Sequence, residues 1–306
     1  MKKRIIIRKT IKKKHKPIRQ NIPIYHTKLK FVFFSSYQNI NFSYDICKAI
    51  SGKYHTCPKT WRSNHLEIIK DISNCDIVII WNSLEPCVYW IKNICNKLNK
   101  PYLFLENGFV PQKNHLHLDT EGIIKQSSLN KSLDWLTNEM EQESEDYISQ
   151  FFVKNGLKNL GSDYILCPLQ LPWDTSVYLC SKYNTMEDFI KNVIDLYPNE
   201  KIIVTPHPCF KKENCITDKK IKAKIYIDFN HPTMELAQNA KCVVGITSTV
   251  LYETLALGKK TVALGDCPIK THNGDRKVVL CAIQKQFNSH NIDRFLDITM
   301  KFITDH

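Results

Sequence analysis

No run of 18 or more apolar residues occurs in the 306-residue sequence, whereas a helix that crosses a bilayer needs about 20. We therefore expect no membrane-spanning helix. The apolar stretch Ile5–Ile7 is far too short for the apolar core of a secretory signal, so we predict that no such signal is present. Hydrophobic residues make up 43% of the chain and charged residues 24%. This composition is typical of a globular protein, and the length favours two domains of ordinary size.

Several motifs of known chemistry are also missing. The sequence has no Asp-x-Asp, Gly-x-Gly-x-x-Gly, Walker A, Gly-x-Ser-x-Gly or His-Glu-x-x-His pattern, so a metal-bridged nucleotide-sugar site is not indicated. The 12 cysteines include no Cys-x-x-Cys pair, and Cys167, Cys242 and Cys281 lie inside apolar, strand-like segments. Because free cysteine packs as a small hydrophobic residue, we predict free thiols, a reducing cytoplasm and no zinc site.

Negative charge is missing from the start of the chain, where the first acidic residue is Asp45. Residues 1–19 hold ten of the 43 Lys and Arg residues, and the remaining 33 nearly balance the 30 acidic residues. The net charge of +13 therefore belongs to an N-terminal arm. Such an arm can attach to an anionic membrane surface or a polyanion, at about 1 kcal/mol per basic residue, or can be a solvated tail. Since no basic patch with interleaved aromatic residues recurs later, nucleic acid is not an expected partner.

Buried apolar runs alternate with helical patterns through both halves of the chain, which predicts an α/β fold with parallel sheets. The predicted strands cover residues 28–37, 75–83, 101–109, 163–171, 201–208, 224–229, 241–247 and 260–265. The predicted helices cover 85–100, 133–156, 185–198, 232–240, 248–258 and 291–303. The two halves join near residues 155–162.

Polar residues mark the ends of four predicted strands: Glu106, Asp174, His207 and Ser248. Ligands of open α/β sheets bind beyond the carboxyl ends of the strands. This coincidence is the strongest physical indication of a site in the sequence.

The segment GITSTVLYETLALG predicts a strand, a turn and a helix. Thr247, Ser248 and Thr249 would place hydroxyl and backbone N–H groups at the start of that helix, where the helix dipole favours an anion. Glu253, five residues after Ser248, could reach a ribose diol. The alternative is an ordinary serine cap followed by a surface glutamate.

His207 lies between two prolines, which would hold the imidazole in one place for a phosphate or carboxylate. The alternative is a loop histidine satisfied by its neighbours. Glu106 follows an apolar strand, where partial burial would raise its pKa and suit proton transfer. A glutamate that only caps a turn at Asn107 and Gly108 would fit the same pattern.

Asp174 follows Pro172 and Trp173, which would stiffen the approach and give the carboxylate an apolar wall. A carboxylate held in this way can act as a nucleophile. The same aspartate could instead cap the next helix, and the local sequence alone favours the cap.

Five segments, in this order, resemble the capsule polysaccharide biosynthesis family, the KpsC/KpsS-like glycosyltransferases that transfer 3-deoxy-D-manno-octulosonic acid (Kdo) from CMP-Kdo. They are IVIIWNS (77–83), KPYLFLENGF (100–109), LCPLQLPWDTSV (166–177), IIVTPHP (202–208) and VVGITSTVLYETLALGKKTVALG (243–265). The resemblance implies a GT-B fold, in which two Rossmann-like domains flank a cleft and the C-terminal domain holds most of the nucleotide. Together with the charge distribution and the order of the predicted elements, it gives an expected arm over 1–24, domains over 25–158 and 159–290, and a C-terminal helix over 291–306.

The same resemblance implies a retaining, metal-independent transfer through a covalent glycosyl-aspartate. Asp174 matches the nucleophile of a Q-x-x-x-D pattern that begins at Gln170, and Glu106 matches the acid of an E-D-G-F motif. His207 matches the histidine of a K-P-H-P motif near the donor phosphate. The remaining donor contacts are assigned to Gln170, Thr247, Ser248, Thr249 and Glu253. The implied partners are a nucleotide-sugar donor and a glycan or lipid-linked acceptor at the cytoplasmic face of the membrane, with no cofactor.

Two positions depart from the family pattern: Asn107 stands where the family has aspartate, and Thr205 stands where it has lysine. Loss of the lysine removes a positive contact to the donor. Two alternatives to Kdo transfer therefore stay open. One is a GT-B transferase that uses another CMP- or UDP-activated sugar, and the other is a GT-B module that binds without catalysis.

Overall fold

The computed structural model describes residues 29–35, 53–56, 65–84, 86–151, 163–210, 216–289 and 291–305. The predicted basic arm and the predicted domain boundary at 158–159 lie outside these ranges. Within them, no helix has the length and apolar content that a bilayer crossing requires.

The strands of the described residues form two sheets. They are β1 (Phe31–Ser35), β2 (Lys53–Thr56), β3 (Ile77–Trp81), β4 (Tyr102–Asn107), β5 (His115–Asp119), β6 (Ile165–Pro168), β7 (Ile202–Thr205), β8 (Tyr226–Ile227), β9 (Cys242–Gly245), β10 (Thr261–Ala263) and β11 (Gln286–Asn288). The first sheet has the order β11-β5-β4-β3-β1-β2 and the second has the order β10-β9-β6-β7-β8.

Helices connect and cover these strands. They are α1 (His65–Asn74), α2 (Pro86–Lys97), α3 (Asn138–Phe151), α4 (Thr175–Leu179), α5 (Met186–Leu196), α6 (Lys219–Lys222), α7 (Thr233–Asn239), α8 (Val250–Ala256), α9 (Pro268–Thr271), α10 (Lys277–Gln284) and α11 (Ile292–Asp305). The start of helix α5 is fixed by its sequence, because Thr185 and Asp188 form a reciprocal capping box there.

Both sheets are buried on two faces, as parallel sheets are in α/β proteins. In the first sheet β2, β1, β3 and β4 are parallel, and all five residues of β3 are buried. The second sheet is parallel throughout. Its residues alternate between two cores: Leu166 and Val243 pack with the residues of α7, α8 and α10, and Ile165 and Val204 pack with those of α5. The predicted α/β class with two Rossmann-like domains is confirmed.

The C-terminal end of the chain returns to the first sheet. Strand β11 pairs antiparallel with β5, with Phe287 opposite Leu116, and Phe295 of α11 packs against Phe31 and Phe287. The predicted second domain, residues 159–290, therefore extends too far along the chain, because residues 286–288 belong to the first sheet. The predicted C-terminal helix is present as α11.

Two other predictions need correction. The acidic helix begins at Asn138 and not at residue 133, because Ser132 and Asp134 form a turn and the Thr137 hydroxyl accepts the N–H of Met140. Strand β5 lies outside all of the predicted strands, yet all five of its residues are buried.

The two domains contact each other through the loop after β4. The ring of Phe109 stacks on Tyr252 of α8, with centroids 4.1 Å apart. The side chain of Gln286 binds the backbone of the same loop by accepting from the N–H groups of Phe109 and Val110 at 2.9 and 3.1 Å. A bidentate ion pair joins Arg276 to Glu145 of α3. The contact of Phe109 with Tyr252 joins the loop after Glu106 to the helix that carries Glu253.

Candidate active site at the strand ends of the second domain

Three of the four polar strand ends meet at one edge of the second sheet. Strands β9, β6 and β7 are neighbours, so the segments that follow them place Ser248, Asp174 and His207 side by side. Glu106 ends β4 in the first domain. The predicted residues therefore divide into a group of three on the second domain and one carboxylate on the first.

Gln170 links the ends of β6 and β9. Its Nε2 lies 3.1 Å from the Thr247 Oγ1, 3.1 Å from the Ser176 Oγ and 3.3 Å from the Asp174 Oδ2. Its Oε1 accepts the backbone N–H of Thr247 at 2.9 Å. Since Gln170, Ser176 and Thr247 are buried, this network holds the aspartate in a fixed place. Ser176 belongs to the network and was not among the predicted residues, because nothing in its local sequence distinguishes it.

Asp174 also caps α4. Its Oδ1 accepts the N–H of Ser176 at 2.9 Å, so the capping role that the local sequence favoured is present. The cap uses one carboxylate oxygen and leaves Oδ2 with Gln170. Capping and display of a carboxylate oxygen at the strand end are thus compatible.

Trp173 does not form the predicted apolar wall. The backbone turns at Leu171–Asp174, where the N–H of Asp174 donates to the Leu171 carbonyl at 3.0 Å. This turn directs the indole outward, where it is 62% exposed and lies edge-on against Phe210, with ring centroids 5.3 Å apart.

His207 is a neutral hydrogen-bond donor in this arrangement. Burial lowers the pKa of its imidazole, and the negative charge of Asp174 partly opposes that shift. The backbone N–H of Cys209 lies 3.1 Å from the His207 Nδ1, so Nδ1 accepts and the proton resides on Nε2. Pro208 begins a 3-10 turn that ends at Phe210 and holds this geometry.

The turn before α8 leaves backbone donors available. The Ser248 Oγ accepts the N–H of Val250 at 3.3 Å, and the helix begins at Val250, two residues later than predicted. Among the described residues, the N–H groups of Ser248 and Thr249 have no hydrogen-bond acceptor. Two N–H groups and the Thr249 hydroxyl are therefore available to a ligand at this turn.

Glu253 faces the first domain. Burial raises the pKa of its carboxyl group to about 7, and a hydrogen bond from the backbone N–H of Gln112 partly opposes the shift. Gln112 belongs to the loop after β4. Glu253, the residue predicted to bind the ribose, therefore contacts the first domain. Spacing along the sequence could not have shown this contact.

Glu106 is half-buried at the end of β4, and its Oε1 accepts from the backbone N–H of Asn107 at 2.9 Å. Its cross-strand neighbour is His117. Burial lowers the pKa of that histidine to about 4, and its Nδ1 has no partner among the described residues.

Thr205, which stands where the family pattern has lysine, is buried at the end of β7. Its hydroxyl has no partner within the described ranges. Thr205 therefore offers a hydroxyl group, and no positive charge, at this strand end. Within those ranges, no group of three His, Cys, Asp or Glu side chains could hold a metal ion.

Comparison with known proteins agrees with these elements. Residues 153–270 match the family model described as capsule polysaccharide biosynthesis protein. Protein FixF of Sinorhizobium fredii is 27% identical over 237 residues, which are 72% of this chain and 57% of that protein. The chain thus spans little more than half of the length of this curated relative.

Two solved structures share the fold. The β-Kdo 2,7 transferase of Thermosulfurimonas dismutans KpsC superposes with a TM-score of 0.64 at 16% identity, covering 89% of this chain and 99% of that one. The β-Kdo 2,4 transferase of the same KpsC gives 0.60 at 16% identity, covering 84% and 91%. The predicted GT-B fold is confirmed, and residues 153–270 are similar to the capsule polysaccharide biosynthesis family.

Proposed function

We propose that the protein is a retaining glycosyltransferase that moves Kdo from CMP-Kdo to a glycan or glycolipid acceptor in the synthesis of a bacterial surface polysaccharide. The observation that carries this proposal is the carboxylate of Asp174, which Gln170 and the N–H of Ser176 hold at the end of β6. A fixed carboxylate beside an anion-binding turn suits displacement at a sugar carbon.

In the first displacement, a carboxylate oxygen of Asp174 attacks the anomeric carbon of Kdo. The bond from that carbon to the phosphate oxygen breaks, and CMP leaves with the electron pair. The Nε2–H of His207 and the N–H groups of Ser248 and Thr249 donate to the phosphate as its charge develops. Because CMP carries a single phosphate, this leaving group needs a metal less than a nucleoside diphosphate does.

In the second displacement, an acceptor hydroxyl attacks the same carbon from the opposite face. Glu106 takes the hydroxyl proton, and the ester bond to Asp174 breaks and restores the carboxylate. Two inversions give net retention. The position of Glu106 on the first domain supports this role, since the acceptor then enters between the domains.

Glu253 is proposed to bind the ribose of the donor. Its carboxylate would release the N–H of Gln112 and accept hydrogen bonds from the ribose hydroxyl groups instead. This exchange links donor binding to the loop that follows Glu106.

A different donor is the second candidate, and the observation that favours it is Thr205 in the place of a lysine. A neutral residue at that position fits a donor with less negative charge near β7. A UDP-sugar, which lacks the carboxylate of Kdo, or a CMP-linked ulosonic acid that places its carboxylate away from β7 would meet this condition. A GT-B module that binds nucleotide without catalysis is the third candidate.

We expect the wild-type protein to release CMP from CMP-Kdo in the presence of a β-Kdo-terminated oligosaccharide, and to do so equally well with EDTA. Mass spectrometry of the products, with UDP-sugars and other CMP-sugars as parallel donors, checks both points. Turnover of a UDP-sugar alone would favour the second candidate. Binding of CMP without turnover of any donor would favour the third, and loss of activity in EDTA would contradict metal independence.

We also propose that the basic arm over residues 1–24 attaches the enzyme to an anionic membrane. The protein lacking residues 1–20 should bind liposomes that contain anionic lipid more weakly than the full chain at low salt, and the difference should shrink as salt screens the charges. Sedimentation with liposomes measures this. Equal binding by both proteins would remove the membrane proposal and leave a solvated tail.

A further inference from the structure

A cavity of 560 Å³ lies on the first domain, between α11 and the segment that leads into α3. Its apolar walls are formed by Leu103, Leu118, Met140, Ile298 and Phe302. The volume falls within the range of about 300 to 1,000 Å³ that is typical of small-molecule sites. The cavity is therefore large enough to hold a ligand of moderate size.

This cavity is separate from the proposed transfer site. Leu103 lies near the start of β4 and packs in the core beneath α11, whereas Glu106 lies near the end of that strand. Side chains three residues apart in a strand point to opposite faces of the sheet. A ligand in the cavity would therefore not occupy the place proposed for the sugar donor.

Four positively charged side chains line the cavity, and two of them have a carboxylate partner. The four are Lys131, Lys285, Arg294 and Lys301. Lys131 forms an ion pair with Glu121, and the Nζ of Lys285 lies 3.8 Å from the Oδ2 of the buried Asp119. These two carboxylates offset the charges of the two lysines.

Arg294 and Lys301, both on α11, have no such partner. The Nη2 of Arg294 donates to the backbone carbonyl of Gln284 at 3.2 Å and to its Oε1 at 3.4 Å, and both acceptors are neutral. Within the described ranges, no carboxylate forms an ion pair with Arg294 or Lys301. Asp297, the remaining acidic residue of the lining, offsets only one of these two charges. One positive charge is therefore in excess beside apolar walls.

Helix α11 presents charge and apolar surface to the cavity together. Arg294, Ile298 and Lys301 are spaced by four and then three residues, so they lie on one face of the helix. The guanidinium of Arg294 is half-buried, and a charge that is partly removed from water is stabilised by a partner of opposite sign. The cavity therefore favours an anionic group attached to an apolar one.

Trp135 distinguishes a flat ligand from a flexible one. Its indole lines the cavity and is 39% exposed, and the Nζ of Lys285 lies 5.7 Å from the centre of its ring, over the ring face. The ammonium group occupies that face, so an aromatic ligand could not stack there. A flexible hydrocarbon chain can instead follow the apolar walls.

We propose that the cavity binds one anionic lipid, with its hydrocarbon chain against the apolar walls and its negatively charged head group at Arg294 and Lys301. A fatty acid and a phosphodiester lipid share this chemistry. The N-terminal arm has the wrong charge to occupy the cavity, since residues 1–19 hold ten basic residues and no acidic one. The proposal does not rest on the proposed sugar transfer, because lipid binding is measured without donor or acceptor.

Calorimetric titration with three decyl compounds, each below its critical micelle concentration, tests the ligand class. Decanoate and decyl methyl phosphate carry one negative charge, and decyl maltoside has the same chain with a neutral head group. At least one of the two anions should bind with one-to-one stoichiometry and about tenfold more tightly than decyl maltoside. The anion that binds more tightly identifies the source, a fatty acid for decanoate and a phospholipid for decyl methyl phosphate. Binding of decyl maltoside as tight as that of both anions, or no binding of either anion, would overturn the proposal.

Charge-removing variants locate the site on the full-length protein. Arg294→Gln should weaken binding of the tighter anion about tenfold and Lys301→Gln about threefold. Lys301 is exposed, so Lys301→Gln should stay folded even if Arg294→Gln does not. Lys191→Gln removes a charge at an exposed position of α5 in the second domain and should bind as the wild type does. Unchanged affinity in Lys301→Gln, or displacement of the anion by CMP, would place the binding elsewhere and overturn the proposal.

Discussion

Replacing Asp174 by asparagine should lower the rate of sugar transfer by about 10⁴-fold or more, because an amide cannot form the ester intermediate. Intact-protein mass spectrometry should detect a Kdo adduct on the wild type after incubation with CMP-Kdo. The adduct should be absent from Asp174→Asn. The same spectra, recorded after addition of acceptor, should show that the adduct disappears as product forms.

The substitution should leave the protein folded. The asparagine Oδ1 can still accept the N–H of Ser176, a bond of 2.9 Å in the wild type, so the cap of α4 is kept. The new asparagine would turn its NH2 group toward Gln170, where the aspartate has an acceptor oxygen. Gln170 would keep its hydrogen bonds with Ser176 and Thr247. We expect a loss of about 1 kcal/mol or less in the free energy of unfolding.

A matched control is available in the same domain. Asp218 caps α6 with the same geometry, since its Oδ1 accepts the N–H of Lys220 at 2.7 Å. Asp218→Asn should therefore change stability as little as Asp174→Asn and leave the transfer rate unchanged. An Asp174→Asn protein that keeps a tenth of the wild-type rate, or that still carries the adduct, would contradict the nucleophile assignment. Equal losses in both variants would point to folding and not to chemistry.

The strands of the site were predictable because each is a short, buried apolar run. Neighbouring parallel strands end at one edge, so Asp174, His207 and Ser248 could be expected together from the sequence alone. The bounds of β6, β7 and β9 fall inside the predicted segments. The family resemblance added roles to these positions, and those roles await the experiments above.

The contacts between distant segments could not be predicted in this way. Thr247 joins the network of Gln170 and Ser176 only because β6 and β9 are paired in space. The hydrogen bond from Gln112 to Glu253 crosses between domains. Strand β11 has three residues, too few for a recognisable alternation, and it becomes a strand because β5 offers an edge to pair with.

The direction of Trp173 shows a further limit. The sequence placed an indole next to Asp174, and proximity along the chain suggested contact. The turn at Leu171–Asp174 directs the two side chains apart, since the aspartate caps α4 while the indole meets Phe210. Two residues adjacent in sequence within a turn therefore cannot be assumed to have side chains in contact.

Replacing Glu253 by glutamine should change how the stability of the protein depends on pH. Burial raises the pKa of the Glu253 carboxyl from 4.5 in the unfolded chain to about 7 in the folded one. Between these values the folded state binds the proton that the unfolded state has lost, so this residue lowers stability as pH rises from 4.5 to 7. Above pH 7 the full cost, about 3 kcal/mol, is present.

The variant removes this cost, because the amide is neutral and its oxygen can still accept the N–H of Gln112. Glu253→Gln should therefore equal the wild type in free energy of unfolding near pH 4.5 and exceed it by about 3 kcal/mol at pH 8. Urea denaturation at both pH values measures the difference, and all other titrating groups are common to the two proteins. Glu139→Gln, at an exposed glutamate of α3, should change stability little at either pH. A Glu253→Gln protein no more stable than the wild type at pH 8 would contradict a buried carboxyl at this position.

Donor binding should show the opposite dependence. An ionised Glu253 accepts ribose hydroxyl protons better than a protonated one, so the affinity of the wild type for CMP should rise as pH increases through about 7. Glu253→Gln should bind CMP more weakly at pH 8 and lose this rise, which calorimetric titration can measure. If Glu253 lowers stability at neutral pH and strengthens nucleotide binding at the same pH, its role in the protein is to bind the nucleotide and not to stabilise the fold. If CMP affinity has the same pH dependence in both proteins, Glu253 only joins the domains, and the ribose is bound elsewhere.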